Sequence, residues 1–164
     1  MDLENTGDRG LADHSPGFLI RRLNQIHNAL FAEECGDLDA TPVQFHVLQV
    51  IGEQPGLEQS KVAEEVGVDR ATLAAVVARL ERAGIVRRAT AKHDRRLKLL
   101  NLTPRGRARL AKLTAPVHRA QERTLEPLSP EDQRRFAVLL ERLVTDGNGH
   151  GRAKLRLRVR REED

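Results

Sequence analysis

Aromatic side chains are almost missing from this chain: its 164 residues include no Trp, no Tyr and only four Phe. Proteins that read RNA or single strands stack bases on aromatic platforms, so that class of partner is disfavoured. There is one cysteine, Cys35, which excludes a disulfide within the chain. No apolar run approaches the roughly 20 residues that a membrane-spanning helix needs. The opening MDLENTGDRG is polar and acidic, unlike a secretory signal. These absences point to a cytoplasmic protein with no membrane partner. A nucleotide-binding glycine loop, an HExxH pair and a nucleophile elbow are also missing, so no catalytic residue is expected and the chain does not read as an enzyme. The six histidines are neither paired at i, i+4 nor grouped with Cys or carboxylates at ligand spacing, so no metal site and no cofactor are expected.

Charge is plentiful and of both signs: 28 Lys and Arg against 24 Asp and Glu give a formal +4. Its placement is uneven. Residues 87–98 hold Arg87, Arg88, Lys92, Arg95, Arg96 and Lys98 against a single acid, Asp94. A second basic run extends from Arg152 to Arg161. Clusters of this kind suit a polyanionic partner.

Helix starts are marked by four pairs, Ser15-Pro16, Thr41-Pro42, Thr103-Pro104 and Ser129-Pro130. In each, a hydroxyl can cap the helix and the proline loses no hydrogen bond, because the first N–H of a helix is unpaired anyway. Gln44 and Asp132 follow Thr41 and Ser129 at capping-box spacing. Apolar periodicity predicts helices over Pro16 to Cys35 (Leu19, Leu23, Ile26 and Leu30 inward) and Pro42 to Ile51 (Phe45, Leu48 and Ile51 inward). Shorter patterns follow at Gln59 to Val66 and Asp69 to Ala83, the latter with Leu73, Val76, Val77 and Leu80 inward. Two strands, Ile85 to Thr90 and Leu97 to Leu102, flank a basic turn. Helices from Pro104 to Leu125 and from Pro130 to Val144 complete the pattern, with Pro116 expected to kink or split the first. Residues 146–151 read as a loop and the run to 164 as a basic, disordered tail.

The fold class is therefore mainly α: a winged helix-turn-helix with a small β-hairpin wing and flanking N- and C-terminal helices. The pattern of Asp69 to Ala83 is that of a DNA-reading helix. With its apolar stripe inward, Arg70, Ala71, Ala74, Ala75 and Ala78 lie outward. Small side chains let a helix sit deep in the major groove, and an arginine at its start can bond a guanine edge twice. Ser60 and Thr72 suit phosphate oxygens. The turn carrying Arg95 and Arg96 reads as a wing tip for the minor groove, with Asp94 expected to ion-pair with one of them.

At these residues the chain resembles the MarR family of transcription regulators. The resemblance is carried by Leu80-Glu81-Arg82-Ala83-Gly84-Ile85-Val86-Arg87-Arg88, by Asp94-Arg95-Arg96, and by Leu102-Thr103-Pro104-Arg105-Gly106. Leu38 to Phe45 and Leu128 to Asp132 add to it. It implies a flexible segment at 1–14, a family domain at 15–145 with its reader at about 41–103, and dimerisation helices at about 16–35 and 104–145. It also implies a homodimer on an inverted repeat of double-stranded DNA, acting as a repressor that a small aromatic acid releases. The implied effector pocket lies near the first, second and fifth helices, where Arg21, Arg22, His27, His46 and His118 are the polar candidates. An arginine there could grip a carboxylate through two hydrogen bonds.

Two other functions are compatible with the pattern. One is a protein-interaction module that keeps the winged shape without reading DNA. The other is a redox-sensing regulator acting through Cys35, although Glu33, Glu34 and Asp37 around it should discourage a thiolate.

Overall fold

The computed structural model describes residues 15–91, 94, 96–151, 153 and 155. Six helices and three short strands follow in order: α1 (Pro16–Cys35), α2 (Pro42–Glu53), β1 (Leu57–Glu58), α3 (Gln59–Val66), α4 (Arg70–Arg82), β2 (Val86–Thr90), β3 (Lys98–Leu102), α5 (Pro104–Leu125) and α6 (Pro130–Gly147). Single 3-10 turns follow α1 at Gly36–Leu38 and α6 at Asn148–His150.

All four Ser/Thr-Pro pairs begin helices. Ser15, Thr41, Thr103 and Ser129 each accept a backbone N–H from the first turn. Thr41 and Gln44 complete a reciprocal capping box. Ser129 instead donates its hydroxyl proton to the Asp132 carboxylate, 2.7 Å away.

The core is centred on α2 to β3. Phe45, Val47, Leu48 and Ile51 of α2 meet Val62 of α3, Leu73, Val77 and Leu80 of α4, and Leu100 and Leu102 of β3. Leu113, Val117 and Ala120 of α5 pack with Phe31 and Cys35 of α1 to continue it upward. Burying each of these larger aliphatic side chains contributes about 1.5–3 kcal/mol before chain entropy is set against it.

Several expectations need correction. The sheet has three strands in the order β1-β3-β2, because Leu57 and Glu58 pair with Leu100 and Leu99. A two-residue strand has too little length to show a period; its pairing comes from the fold. Pro116 does not split α5, which runs unbroken. Leu113 and Val117 are buried on either side of the proline, so packing holds the helix across the missing hydrogen bond. The segment expected to be a loop at 146–151 begins inside α6 and continues as the 3-10 turn.

The inward face of α1 also differs. Leu19 and Ile26 are about half exposed, at 50% and 45%, and Ile20 more so at 61%. No residue of α6 is buried, and Val138, Leu139, Leu140, Leu143 and Val144 all face out. The periodicity located an apolar face correctly but could not say what covers it.

Candidate nucleic-acid interface

The turn between α3 and α4 sets the geometry of the reader. Gly67 ends α3 with φ +73° and donates its N–H to Ala63, a left-handed conformation that glycine adopts without a Cβ penalty. Two residues later Asp69 caps α4. Its carboxylate accepts the Thr72 N–H at 2.8 Å and the Thr72 hydroxyl at 2.7 Å. These bonds, the backbone one first, hold the Asp69 carboxyl below the usual carboxylate range. The cap is therefore fully ionised at neutral pH and weakens only as acidification approaches the lowered value.

Arg70 is the first residue of α4 and is exposed. Ala71 and Ala75 are exposed along the same helix, while Ala74 and Ala78 are half-buried. The outward surface of α4 is thus a methyl-lined strip headed by a guanidinium. Thr72 was expected to donate to a phosphate. Its proton is engaged by Asp69, so a phosphate contact requires that bond to be exchanged.

The wing begins at the end of α4, where β2 and β3 pair antiparallel from Val86–Leu102 to Thr90–Lys98. Asp94 was expected to ion-pair with an arginine. Among the described residues it instead accepts the Arg96 backbone N–H at 2.9 Å, closing the turn and leaving the Arg96 guanidinium outside. Arg95 lies outside the described residues.

An open hollow of about 380 Å³ joins the two parts. Ser60, Arg70, Arg88, Arg96 and Lys98 line it together with Glu58 and Gln59. Arg88 is 3.1 Å from Glu81, and Glu58 is 3.5 Å from Lys61. Among the described residues, the buried Arg88 Nε and Gln59 Oε1 have no hydrogen-bond partner. A buried donor without a partner carries a desolvation penalty of about 1–3 kcal/mol. Arg88, Lys98 and Gln59 were not singled out as site residues in the sequence. The available signal was strand alternation, which separates Arg88 from the exposed Arg87.

The MarR family model matches residues 40–98, the segment from the start of α2 to the wing. Transcriptional regulator HosA of Escherichia coli O157:H7 is 34% identical over 125 residues, covering 76% of this chain and 91% of HosA. The chain belongs to the MarR family. It is a transcriptional regulator of that family, and the relatives it matches are regulators rather than enzymes. Two solved MarR-like structures extend the comparison. BpsR of Bordetella bronchiseptica, whose DNA binding is regulated by 6-hydroxynicotinic acid, is 28% identical with a TM-score of 0.78, over 84% of this chain and 97% of BpsR. The transcriptional repressor CouR, solved on a 23-mer DNA duplex, is 27% identical with a TM-score of 0.78, over 85% of this chain and 99% of CouR.

The effector candidates of this MarR-family chain are scattered. Arg21 lies 5.2 Å over the Phe18 ring and Arg22 bonds Gln25 at 3.3 Å; both are exposed, as is His118. His46 sits beside Phe45, ring centroids 5.7 Å apart. Although one side of His46 is open, the protein around it lowers its pKa, and His27 lowers it further. His27 lines a hollow of about 330 Å³ between α1, α5 and α6. This is not the position near α2 that the resemblance implied. Its Nδ1 is 2.9 Å from Thr124 Oγ1, and that hydroxyl donates to the Ala120 carbonyl at 2.7 Å. Thr124 must therefore accept from His27 Nδ1–H, which leaves Nε2 as an acceptor when the ring is neutral.

Ion pairs missed in the sequence tie α1 to α5. Arg119 and Arg123 donate to Glu34 at 2.8 and 2.9 Å, and Arg123 also reaches Glu33 at 2.9 Å. The arginine hydrogen bonds hold the Glu34 carboxyl low. Next to them Cys35 is only 1% exposed, and burial first, then the Glu34 charge, pushes its thiol pKa up. A buried thiol with a raised pKa is a poor nucleophile. Cys35 should therefore react slowly with a thiol reagent in the folded protein and fully after denaturation. DNA affinity should be unchanged by Cys35→Ser and insensitive to hydrogen peroxide; rapid native labelling together with peroxide-induced release would contradict this.

Proposed function

We propose that this MarR-family regulator is a repressor that binds an inverted repeat as a homodimer and leaves it when a small aromatic acid binds. The observation that carries the DNA reading is the shared hollow, where Arg70 at the head of α4 and Arg96 at the wing tip converge on one cationic surface. Arg70 reads a guanine edge in the major groove, with Ala71, Ala74 and Ala75 letting the helix approach. Arg96 and its neighbour Arg95 enter the minor groove, and Ser60, Arg88 and Lys98 serve phosphates. CouR, solved on a duplex, supports this mode by similarity.

The dimer reading rests on α6. A helix with no buried residue and exposed Val138, Leu139, Leu140, Leu143 and Val144 needs a partner. The exposed Leu19, Ile20 and Ile26 of α1 supply more of the same surface. A second copy satisfies both and gives the two-fold symmetry that an inverted repeat requires, with half-sites about 10 bp apart.

The effector reading rests on the hollow between α1, α5 and α6. Its walls include Ile20, Leu23, Leu125, Phe136 and Leu140, with Asn24, His27, Gln121 and Thr124 as polar groups. Its size suits one substituted ring. Neutral His27 accepts from a ring hydroxyl, and protonated His27 donates to a carboxylate. Because α6 lines both this hollow and the unpartnered face, a bound ring shifts the spacing of the two readers and so the DNA affinity. BpsR, regulated by 6-hydroxynicotinic acid, supports an aromatic acid by similarity.

The test is a binding titration on a duplex enriched from a random pool. The homodimer should protect an inverted repeat, and 6-hydroxynicotinic acid or a hydroxybenzoate should release it. His27→Ala should blunt release while DNA affinity is retained. Release that is unaffected by His27→Ala would remove this hollow as the effector site.

A further inference from the structure

Beyond α6 the chain returns to the reader. Asn148, in the 3-10 turn that follows α6, bonds both backbone groups of Leu155: its Nδ2 donates to the Leu155 carbonyl at 2.6 Å and its Oδ1 accepts the Leu155 N–H at 2.8 Å. A side-chain amide offers a donor and an acceptor side by side, so it can hold one residue's backbone in both directions at once. Without this clip the chain from Asn148 to Leu155 could extend about 24 Å. With it, Leu155 is set on the turn of the helix-turn-helix. Its Cδ1 and Cβ lie 3.0 and 3.6 Å from where a Cβ on Gly67 would stand. Ala153 lines a hollow of about 540 Å³ together with Ser60, Asp69, Arg70 and Ala71.

We propose that Asn148, Ala153 and Leu155 make an autoinhibitory contact: a clip that holds the chain over the turn at Gly67 and beside the start of α4, and that must open before a duplex seats there. This rests on the reading of α4 as the helix that enters the major groove. Ser60, Arg70 and Ala71, which share the hollow with Ala153, are residues assigned to the duplex. The clip therefore takes up space that the sugar-phosphate backbone needs when Arg70 reaches a base edge. Two amide hydrogen bonds and a half-buried leucine hold it. Contacts of that strength set a threshold rather than a block, because the fraction of molecules with the clip open scales the apparent affinity.

The seat can be locked for a test. A Cβ–Cβ separation of 3.6 Å falls within the disulfide range of about 3.5–4.5 Å. The variant Gly67→Cys/Leu155→Cys, made together with Cys35→Ser, is compared with itself in oxidised and reduced form. Any strain from a side chain at the Gly67 φ of +73° is then common to both arms. Thiol titration reports whether the bridge has closed, and binding constants are measured on the enriched duplex and on a random-sequence duplex.

The oxidised form should bind both duplexes at least about tenfold more weakly than the reduced form, the factor for an open state held by fewer than about one molecule in ten. Asn148→Ala, in the otherwise unaltered chain, should bind about 3- to 10-fold more tightly than the wild type. Affinity that is unchanged or raised by oxidation would overturn the inhibitory role and leave the α4 reading intact, as would Asn148→Ala that binds no more tightly than the wild type. Thiols that stay free under oxidant in the folded variant would overturn the seat of Leu155 on Gly67. If the double-cysteine variant does not fold, Leu155→Ser takes its place: it should tighten binding as Asn148→Ala does, and equal or weaker binding would overturn the clip. Failure of the wild type, Asn148→Ala and the reduced variant to bind any duplex would end both this reading and that of α4.

Discussion

Arg70→Ala is expected to abolish preference for one base pair in each half-site while leaving general DNA affinity close to its original value. A guanidinium bonded twice to a guanine edge supplies about 1–3 kcal/mol of discrimination, roughly 5- to 150-fold. The structure gives Arg70 the position for this. It opens α4, it is exposed, and the Asp69 cap fixes the helix start immediately before it. Competition between the enriched duplex and copies mutated one base pair at a time measures the effect. The Arg70→Ala profile should go flat at a single symmetric position. Arg96→Ala should behave differently, lowering affinity on all sequences, reducing the salt slope by about 1 and acting most strongly where A·T pairs flank the half-sites. Identical profiles for the wild type and Arg70→Ala would remove the base-reading role.

Gly106→Ala is expected to lower stability by about 2–3 kcal/mol, at the upper end of what overpacking does. Gly106 is buried at the joint between the wing and α5, and a Cβ there would stand 2.1 Å from the Ile85 carbonyl oxygen. That oxygen is backbone and already engaged. It accepts the Thr103 N–H at 3.0 Å, and the Thr103 hydroxyl lies 3.2 Å from it and 2.7 Å from the Gly84 carbonyl. Nothing at the joint can swing aside as a side-chain tip would. At this chain length each kcal/mol moves the melting temperature by about 2–4 °C, so a drop of roughly 4–12 °C is expected in a thermal melt. Gly17→Ala is the control: among the described residues no atom beyond its own turn of helix lies within 4 Å of its added Cβ, and it should melt at or slightly above the wild type. Equal melting temperatures for Gly106→Ala and the wild type would contradict the close approach.

What the sequence made legible was local. Capping hydroxyls followed by proline announce a helix wherever they occur, and Ser15, Thr41, Thr103 and Ser129 all do so. The inward stripe of α4 was readable because Leu73, Val77 and Leu80 are covered by the same chain. Leu19 and Ile26 had the same periodicity and are exposed; a period identifies an apolar face but not its partner. The strand at Leu57–Glu58 exists only through pairing with β3. At the candidate site, Arg70 and Arg96 were singled out from position, whereas their convergence with Arg88 and Gln59 on one hollow depends on how the wing folds back against α3. Thr72 looked like a phosphate ligand by residue type, but its proton serves the helix cap. Among the effector candidates His27 faces the hollow between α1, α5 and α6, a placement that residue type alone does not distinguish from that of the exposed His118.

Hydroxyl-radical cleavage of the enriched duplex, with the protein bound, tests the central claim most directly, because the radical attacks sugars lining the minor groove. If α4 fills the major groove and the wing tip the adjacent minor groove, protection should appear as short patches related by two-fold symmetry, with half-site centres about 10 bp apart and the outermost patches lost in Arg96→Ala. A single unsymmetrical patch, or cleavage identical to free DNA under conditions where the protein is bound, would contradict it.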